Sequence, residues 1–123
     1  MDITKTELDV LQAIWDQSPA TAEDIILRLN TEKPWHEKTV KTLLNRLVKK
    51  KVIGFTKLGR VYEYYALVEE STYQENETQN FVHRLFKGRV SPLVAGFAKK
   101  ENLSKEDIDD LKQLITDWEK SND

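Results

Sequence analysis

A run of basic side chains in the middle of the chain is the strongest chemical signal in this 123-residue sequence. No acidic residue interrupts it, although the whole chain has a formal net charge of −2. Because DNA has about one negative charge per ~1.7 Å of its axis, a clustered basic surface gains affinity for it by releasing counterions. The run indicates a nucleic-acid contact, and a merely solvated surface is the alternative. Its eight members are Lys38, Lys41, Arg46, Lys49, Lys50, Lys51, Lys57 and Arg60.

The elements predicted around this run have the order of a winged helix-turn-helix. Two helices are predicted to begin at capping boxes, one at Thr4 and one at Thr21. A third amphipathic helix is predicted over about 37–50, because apolar residues recur there at helical spacing. A β-hairpin is predicted over about 52–66, where β-branched and aromatic residues flank a turn containing Gly59. The basic residues therefore lie on helix three and on the hairpin, or wing.

This arrangement gives the basic residues separate expected roles. Helix three is expected to enter the major groove, where its N-terminal turns meet base edges, and the wing is expected to contact the backbone. Arg46 has two open roles: a contact with bases or phosphate, or an ion pair with an acidic residue of the first two helices. Lys49 and Lys50 are expected to neutralise phosphates or to remain in solvent. The predicted DNA contacts are Lys38, Thr39, Lys41, Thr42, Arg46, Lys49, Lys50, Lys57 and Arg60.

The second half of the chain is predicted to be helical and to mediate self-association. We divide the chain into a DNA-binding domain over 1–68 and a helical dimerisation region over 69–123. Three helices of this size supply little core on their own, so a homodimer is favoured over a closed core within one chain. Two-fold symmetry would also suit a palindromic operator. The expected interface residues are Leu93, Val94, Phe97, Ile108, Leu111, Leu114, Ile115 and Trp118.

Composition argues against the other functional classes. The chain has no cysteine and only two histidines, so neither a metal site nor any other cofactor is expected. The serines lack a nucleophile elbow, and there is no glycine-rich phosphate loop, so an enzyme is not expected. Neither a membrane-spanning segment nor a signal peptide is predicted, which favours a cytoplasmic protein.

Three segments of the sequence resemble the penicillinase-repressor family, BlaI/MecI/CopY. They are Glu7–Trp15, Thr21–Ile26 and, most specifically, the Lys-Thr-Val-x-Thr-Leu-x-x-Arg-Leu pattern that begins at Lys38. The likeness continues through the hairpin end 62–68, the segment 91–94 and the final helix. It implies a homodimeric, sequence-specific transcriptional repressor that binds a palindromic double-stranded DNA operator.

The resemblance also implies how such a repressor is released from DNA. The copper-responsive branch has a C-terminal cysteine motif, which this cysteine-free chain lacks. The β-lactam branch is cut between an Asn and a Phe by a sensor-linked protease. Phe97 corresponds to that Phe, but Gly96 replaces the Asn. Two roles therefore stay open for this position: a cleavage site between Gly96 and Phe97, and a place for Phe97 in the helical core. The alternative is a winged-helix regulator controlled by a small-molecule ligand or a partner protein.

Overall fold

The computed structural model describes residues 2–100 and 102–122, which form six helices and a three-stranded sheet. The chain divides into two compact units, Met1–Gln74 and Glu75–Asp123. The division after residue 68 made from the sequence stays a prediction. In chain order the elements are α1 Lys5–Asp16, β1 Ala20–Thr21, α2 Ala22–Leu29, α3 Glu37–Lys49, β2 Ile53–Leu58, β3 Val61–Ala66, α4 Glu70–Phe86, α5 Ser91–Lys99 and α6 Lys105–Ser121.

The starts of the helices follow from local side-chain chemistry. At α1 the Glu7 amide donates to Thr4 Oγ1 at 3.2 Å, and the Thr4 amide donates to Glu7 Oε1 at 3.0 Å. A reciprocal box of the same kind opens α2, so the caps predicted at Thr4 and Thr21 are confirmed, and another opens α6 at Ser104. Helix α3 begins differently, because His36 Nδ1 accepts a hydrogen bond from the Lys38 amide at 3.1 Å. A histidine cap has no common sequence signature and was not predicted.

The wing is confirmed as a two-stranded hairpin, and a short third strand extends it. Strands β2 and β3 pair in an antiparallel register from Ile53 opposite Ala66 to Leu58 opposite Val61. The turn has Gly59 at a φ of +65°, a left-handed conformation that glycine adopts without steric cost. Strand β1 pairs with the other edge of β3, with Thr21 opposite Glu63. Thr21 is also the N-cap of α2, so one residue joins the sheet to that helix.

The core of the first unit lies between α1, α2, α3 and the sheet. Arg28 of α2 reinforces this packing, since its Nη1 donates to the carbonyls of Ala13 at 2.7 Å and Gln17 at 2.8 Å, near the C-terminus of α1. This contact supplies partners for carbonyls that a helix end leaves free. The fully buried aliphatic side chains include Val10, Leu11, Ile14, Ile25, Val40, Leu44, Leu47 and Val52.

An ion pair with a buried carboxylate joins two helices of the first unit. The Glu7 side chain is completely buried, and its Oε1 lies 2.7 Å from Lys50 Nζ. Lys50 also donates to the carbonyl of Asp2 at 2.6 Å. Burial by itself opposes ionisation of Glu7, but the hydrogen bonds from Lys50 and Thr4 offset it, so the pKa of Glu7 lies below its usual value. The pair ties the start of α1 to the end of α3.

The second unit leaves most of its apolar side chains in solvent. Val82 is its one largely buried apolar residue among those that the structure describes. On α6, Ile115 is 58% exposed and Trp118 is 66% exposed. None of the helices in the described ranges has the length and apolar character needed to cross a bilayer. This unit therefore displays apolar surface that its own helices do not cover.

Candidate nucleic-acid interface

The outer face of α3 presents the residues expected to contact DNA. Residues at i, i+3, i+4 and i+7 share one face of a helix, and here the inner face is filled by Val40, Leu43, Leu44 and Leu47. The hydrophilic positions are thereby turned outward. Every predicted contact on α3 and at its end is exposed: Lys38, Thr39, Lys41, Thr42, Arg46, Lys49 and Lys50.

A groove of about 910 Å³ brings the helix and the wing together. Lys41 and Asn45 line it from α3, and Arg60 lines it from the turn of the wing. Two parts of the basic run that are 19 residues apart in sequence (41 to 60) thus face one space. The predicted association of helix and wing is present in the fold. The other lining residues are Thr21, Ala22, Glu23, Ile26, Leu27, Trp35, Glu37, Val61, Tyr62 and Tyr64.

Lys41 is paired with an acidic neighbour on its own helix. Its Nζ lies 2.9 Å from Glu37 Oε1, one turn earlier, and both side chains are mostly exposed. The hydrogen bond from Lys41 lowers the pKa of Glu37, and the same bond raises the pKa of Lys41. Because exposed pairs at this spacing are weak, a DNA acceptor can displace the carboxylate. Glu37 was not predicted to be part of the site, since it stands one residue before the basic run.

Thr42 has part of its hydrogen-bonding capacity already used. Its hydroxyl donates to the carbonyl of Lys38 at 2.9 Å. The methyl group and the remaining oxygen lone pairs stay available, and these suit a thymine methyl or a donor on a base edge. Asn45, which follows on the same face, has the amide that pairs in bidentate fashion with adenine. Asn45 was not among the predicted contacts, although its spacing of four residues from Lys41 was a usable signal.

The remaining basic residues differ in how far they are engaged. Arg46 forms no ion pair within the described ranges. Of the two roles considered for it, the ion pair with an acidic residue of the first two helices is therefore not found there. Lys49 is likewise exposed. The ammonium of Lys50 is bound by Glu7 and by Asp2, and its contact with phosphate stays a prediction.

The two wing residues are both exposed, and they lie at the hairpin tip. Lys57 lies with its ammonium 5.8 Å from the ring centroid of Tyr62, where a cation–π contact holds it over the strand. Phe55 supports that ring from the neighbouring strand at a centroid distance of 5.0 Å. Arg60 occupies the turn and faces the groove. The tip of the wing is therefore positively charged, and the aromatic rings of Phe55 and Tyr62 lie beside it.

The family of this chain follows from its similarity to known proteins. The family model described as penicillinase repressor matches residues 3–117. The chain belongs to the penicillinase repressor family. The family is composed of DNA-binding transcriptional repressors, so the predictions of a repressor and of a protein that is not an enzyme are confirmed.

Two individual members of the penicillinase repressor family are similar to this chain over most of their length. The methicillin resistance regulatory protein MecI of Staphylococcus aureus is 36% identical over 114 residues, which is 93% of each chain. The penicillinase repressor of Bacillus licheniformis is 34% identical over 113 residues, or 92% of this chain and 88% of that one.

Solved structures show the same family relationship in three dimensions. The solution structure of the DNA-binding domain of the repressor BlaI aligns with a TM-score of 0.53 at 36% identity, covering 58% of this chain and 88% of that one. The monomeric form of Bacillus licheniformis BlaI, in complex with the blaP half-operator, aligns with a TM-score of 0.51 at 36% identity, covering 59% and 89%. The winged-helix prediction is confirmed.

Proposed function

We propose that this penicillinase repressor family member binds a palindromic operator as a homodimer, with α3 in the major groove and the wing on the backbone. The observation that carries the proposal is the groove in which Lys41 and Asn45 of α3 meet Arg60 of the wing. The likeness to BlaI, which binds the blaP half-operator, supports one winged unit per half-site. A repressor of this kind acts on DNA in the cytoplasm.

The residues divide into base-reading and phosphate-binding groups. Lys38, Thr39, Lys41 and Thr42 lie on the first two turns of α3, which approach base edges most closely in this class of fold. Arg46 lies one turn further along the same exposed face. The positions at the helix end and on the wing suit the backbone: Lys49, Lys57 and Arg60, whereas the ammonium of Lys50 is engaged by Glu7 and the Asp2 carbonyl.

Replacing Lys41 and Thr42 together by alanine is expected to weaken operator binding by about 30-fold or more, because two contacts with base edges, each worth about 1–3 kcal/mol, are lost together. Binding to a scrambled duplex of equal length should change by no more than about threefold. Gel-shift titrations on both duplexes make the comparison, with Lys49→Ala as the phosphate control. Equal losses on the two duplexes would reduce Lys41 and Thr42 to backbone contacts.

Operator affinity is also expected to fall steeply with salt. If the dimer neutralises about 6–10 phosphates, affinity should drop by about 10³–10⁵ between 50 and 200 mM salt. Fluorescence anisotropy of a labelled operator over this range gives the slope. A flat dependence would remove the role proposed for the basic run.

The dimer is supported by the surface of the second unit. Phe97 on α5 is 47% exposed, and the α6 residues Ile108, Leu114, Ile115 and Trp118 are between 40% and 66% exposed. Leu93, Val94 and Leu111 are half-buried. An apolar stripe of this kind is typical of a surface that another chain covers. In vitro selection of bound duplexes would test the proposal directly, since a dimer should recover inverted half-sites at a fixed spacing.

Release of the operator has two candidate routes. Gly96 and Phe97 are both exposed within α5, and a Cβ added at Gly96 would meet no neighbouring atom within 4 Å. A glycine inside a helix costs about 1 kcal/mol relative to alanine, so α5 opens more easily there for a sensor-linked protease. Control by a small-molecule ligand or a partner protein is the alternative, which the open groove beside Lys41 would accommodate.

A further inference from the structure

The junction between the wing and α4 is held in place by a tryptophan from α1. Trp15 Nε1 donates a hydrogen bond to the carbonyl of Val68 at 2.9 Å. The ring of Trp15 also contacts the ring of Tyr73 at a centroid distance of 5.7 Å and an interplanar angle of 49°. The first contact precedes the start of α4 at Glu70, and the second lies on its first turn. We call the three residues Trp15, Val68 and Tyr73 the latch.

The latch lies wholly within the first unit, and both its ends are anchored there. Trp15 and Val68 pack against the core of that unit. The adjacent Leu67 amide donates to the carbonyl of Val52 at 2.8 Å, which fixes the chain one residue before Val68. Only residues 67–69 separate β3 from α4. A connection this short, tied on both sides, leaves the first turn of α4 little freedom to reorient.

Helix α4 itself is unbroken from Glu70 to Phe86 and passes from the first unit into the second. A helix of 17 residues is about 25 Å long, since each residue adds about 1.5 Å. The latch acts on the first turn of this helix, within the first unit.

We propose that Trp15 is a positioning residue for operator recognition. The latch sets the direction in which α4 leaves the DNA-binding unit, and this in turn sets the separation of half-sites that the dimer accepts. Trp15 touches no DNA in this scheme. The inference rests on the homodimer and the half-site binding proposed above.

The test compares wild type with Trp15→Phe in the full-length protein, since phenylalanine keeps an aromatic ring and removes the N–H donor. The DNA probes have the selected half-sites at the optimal spacing, at that spacing changed by two base pairs, and as a single half-site. A stiff connection favours one spacing, whereas a loose one tolerates several. Wild type should prefer the optimal spacing by about tenfold or more, and the variant by less than about threefold. Affinity for the single half-site and the dimer mass should not change.

A second variant reaches the same junction without altering the core. Insertion of two glycines after Glu69 separates Val68 from Tyr73 and so divides the latch, and it should also relax the spacing preference. If both proteins discriminate between spacings as wild type does, the latch has no positioning role. A relaxed preference in Trp15→Phe is not a result of misfolding when its affinity for the single half-site equals that of the wild type. Failure of wild type to dimerise or to bind a half-site would instead overturn the proposed function.

Discussion

Replacing Lys50 by methionine is expected to lower the free energy of unfolding by about 1–3 kcal/mol at pH 7, because a buried acceptor loses its charged partner while the pair is partly screened by solvent at Lys50. The variant leaves the Glu7 carboxylate buried without its cation, and Glu7 Oε2 has no hydrogen-bond partner among the described residues even in the wild type. Domains of this size are stable by only about 5–15 kcal/mol, so the loss is a large share of the total. Urea unfolding followed by circular dichroism measures it.

The pH dependence gives this prediction a second signature. In the wild type the pKa of Glu7 is lowered, so the pair contributes stability above the unfolded pKa of about 4.5, and that contribution is lost as the pH falls through the folded pKa. In Lys50→Met the Thr4 hydrogen bonds remain but the cation is lost, so the pKa of Glu7 should rise relative to the wild type. The folded variant then binds a proton more readily than the folded wild type, so its deficit should shrink as the pH falls toward the unfolded pKa of about 4.5.

Lys49→Met is the matched control for Lys50→Met. Lys49 stands next to Lys50, is exposed and has no ion pair among residues 2–100 and 102–122. Its replacement should change stability by no more than about 0.5 kcal/mol and should lower the salt slope of DNA binding by about one. Lys50→Met should leave the slope of the folded protein nearly unchanged. Equal stabilities with equal losses of slope would make Lys50 a solvated phosphate contact.

The substitution Ile115→Asp is expected to convert the repressor into a monomer and to lower affinity for the complete operator by about 10²–10⁴-fold. Two linked half-site contacts bind with avidity of that order, and the substitution removes the link without touching the groove. An aspartate at this position would bury a charge in the proposed interface, where it has no partner. Affinity for a single half-site should stay at the wild-type value.

Light scattering at micromolar concentration and gel shifts on complete and half operators test this prediction. Gln113→Asp is the control, because it adds the same charge on the side of α6 away from Ile115 and Trp118. It should keep the dimer mass and the operator affinity. A wild-type particle of 14.4 kDa would contradict the proposed dimer, and an Ile115→Asp protein of twice that mass would contradict its interface at α6.

The sequence was most informative where structure is determined locally. The capping boxes at Thr4, Thr21 and Ser104 depend on residues three apart, and Gly59 depends on its own φ, so these features were predictable. Strand β1 was missed because two residues are too few to show alternation. The sequence predicted that a basic helix and a basic wing lie side by side. It did not predict which residues line the groove between them, because only the fold brings Arg60 and Lys41 to the same space.

Contacts between distant residues were beyond the reach of pattern reasoning. Glu7 was recognised as half of a capping box, but its ion pair with Lys50 spans 43 positions. The hydrogen bond from Trp15 to the carbonyl of Val68 spans 53 positions, so no local pattern reveals it. For the exposed side chains of α6, the predicted partner lies on another copy of the chain, so burial within one copy says little about them.

The position of Thr21 has a mechanical consequence for DNA binding. Because this residue pairs with the wing through Glu63 and also caps α2, a displacement of β3 is passed directly to the start of the helix-turn-helix. The wing should then dock together with the reading helix as one body, so little conformational entropy is left for it to lose at the DNA backbone. The Asp24 amide donates a hydrogen bond to Thr21 Oγ1 at 3.1 Å. Its rate of hydrogen exchange should therefore change when the wing contacts DNA.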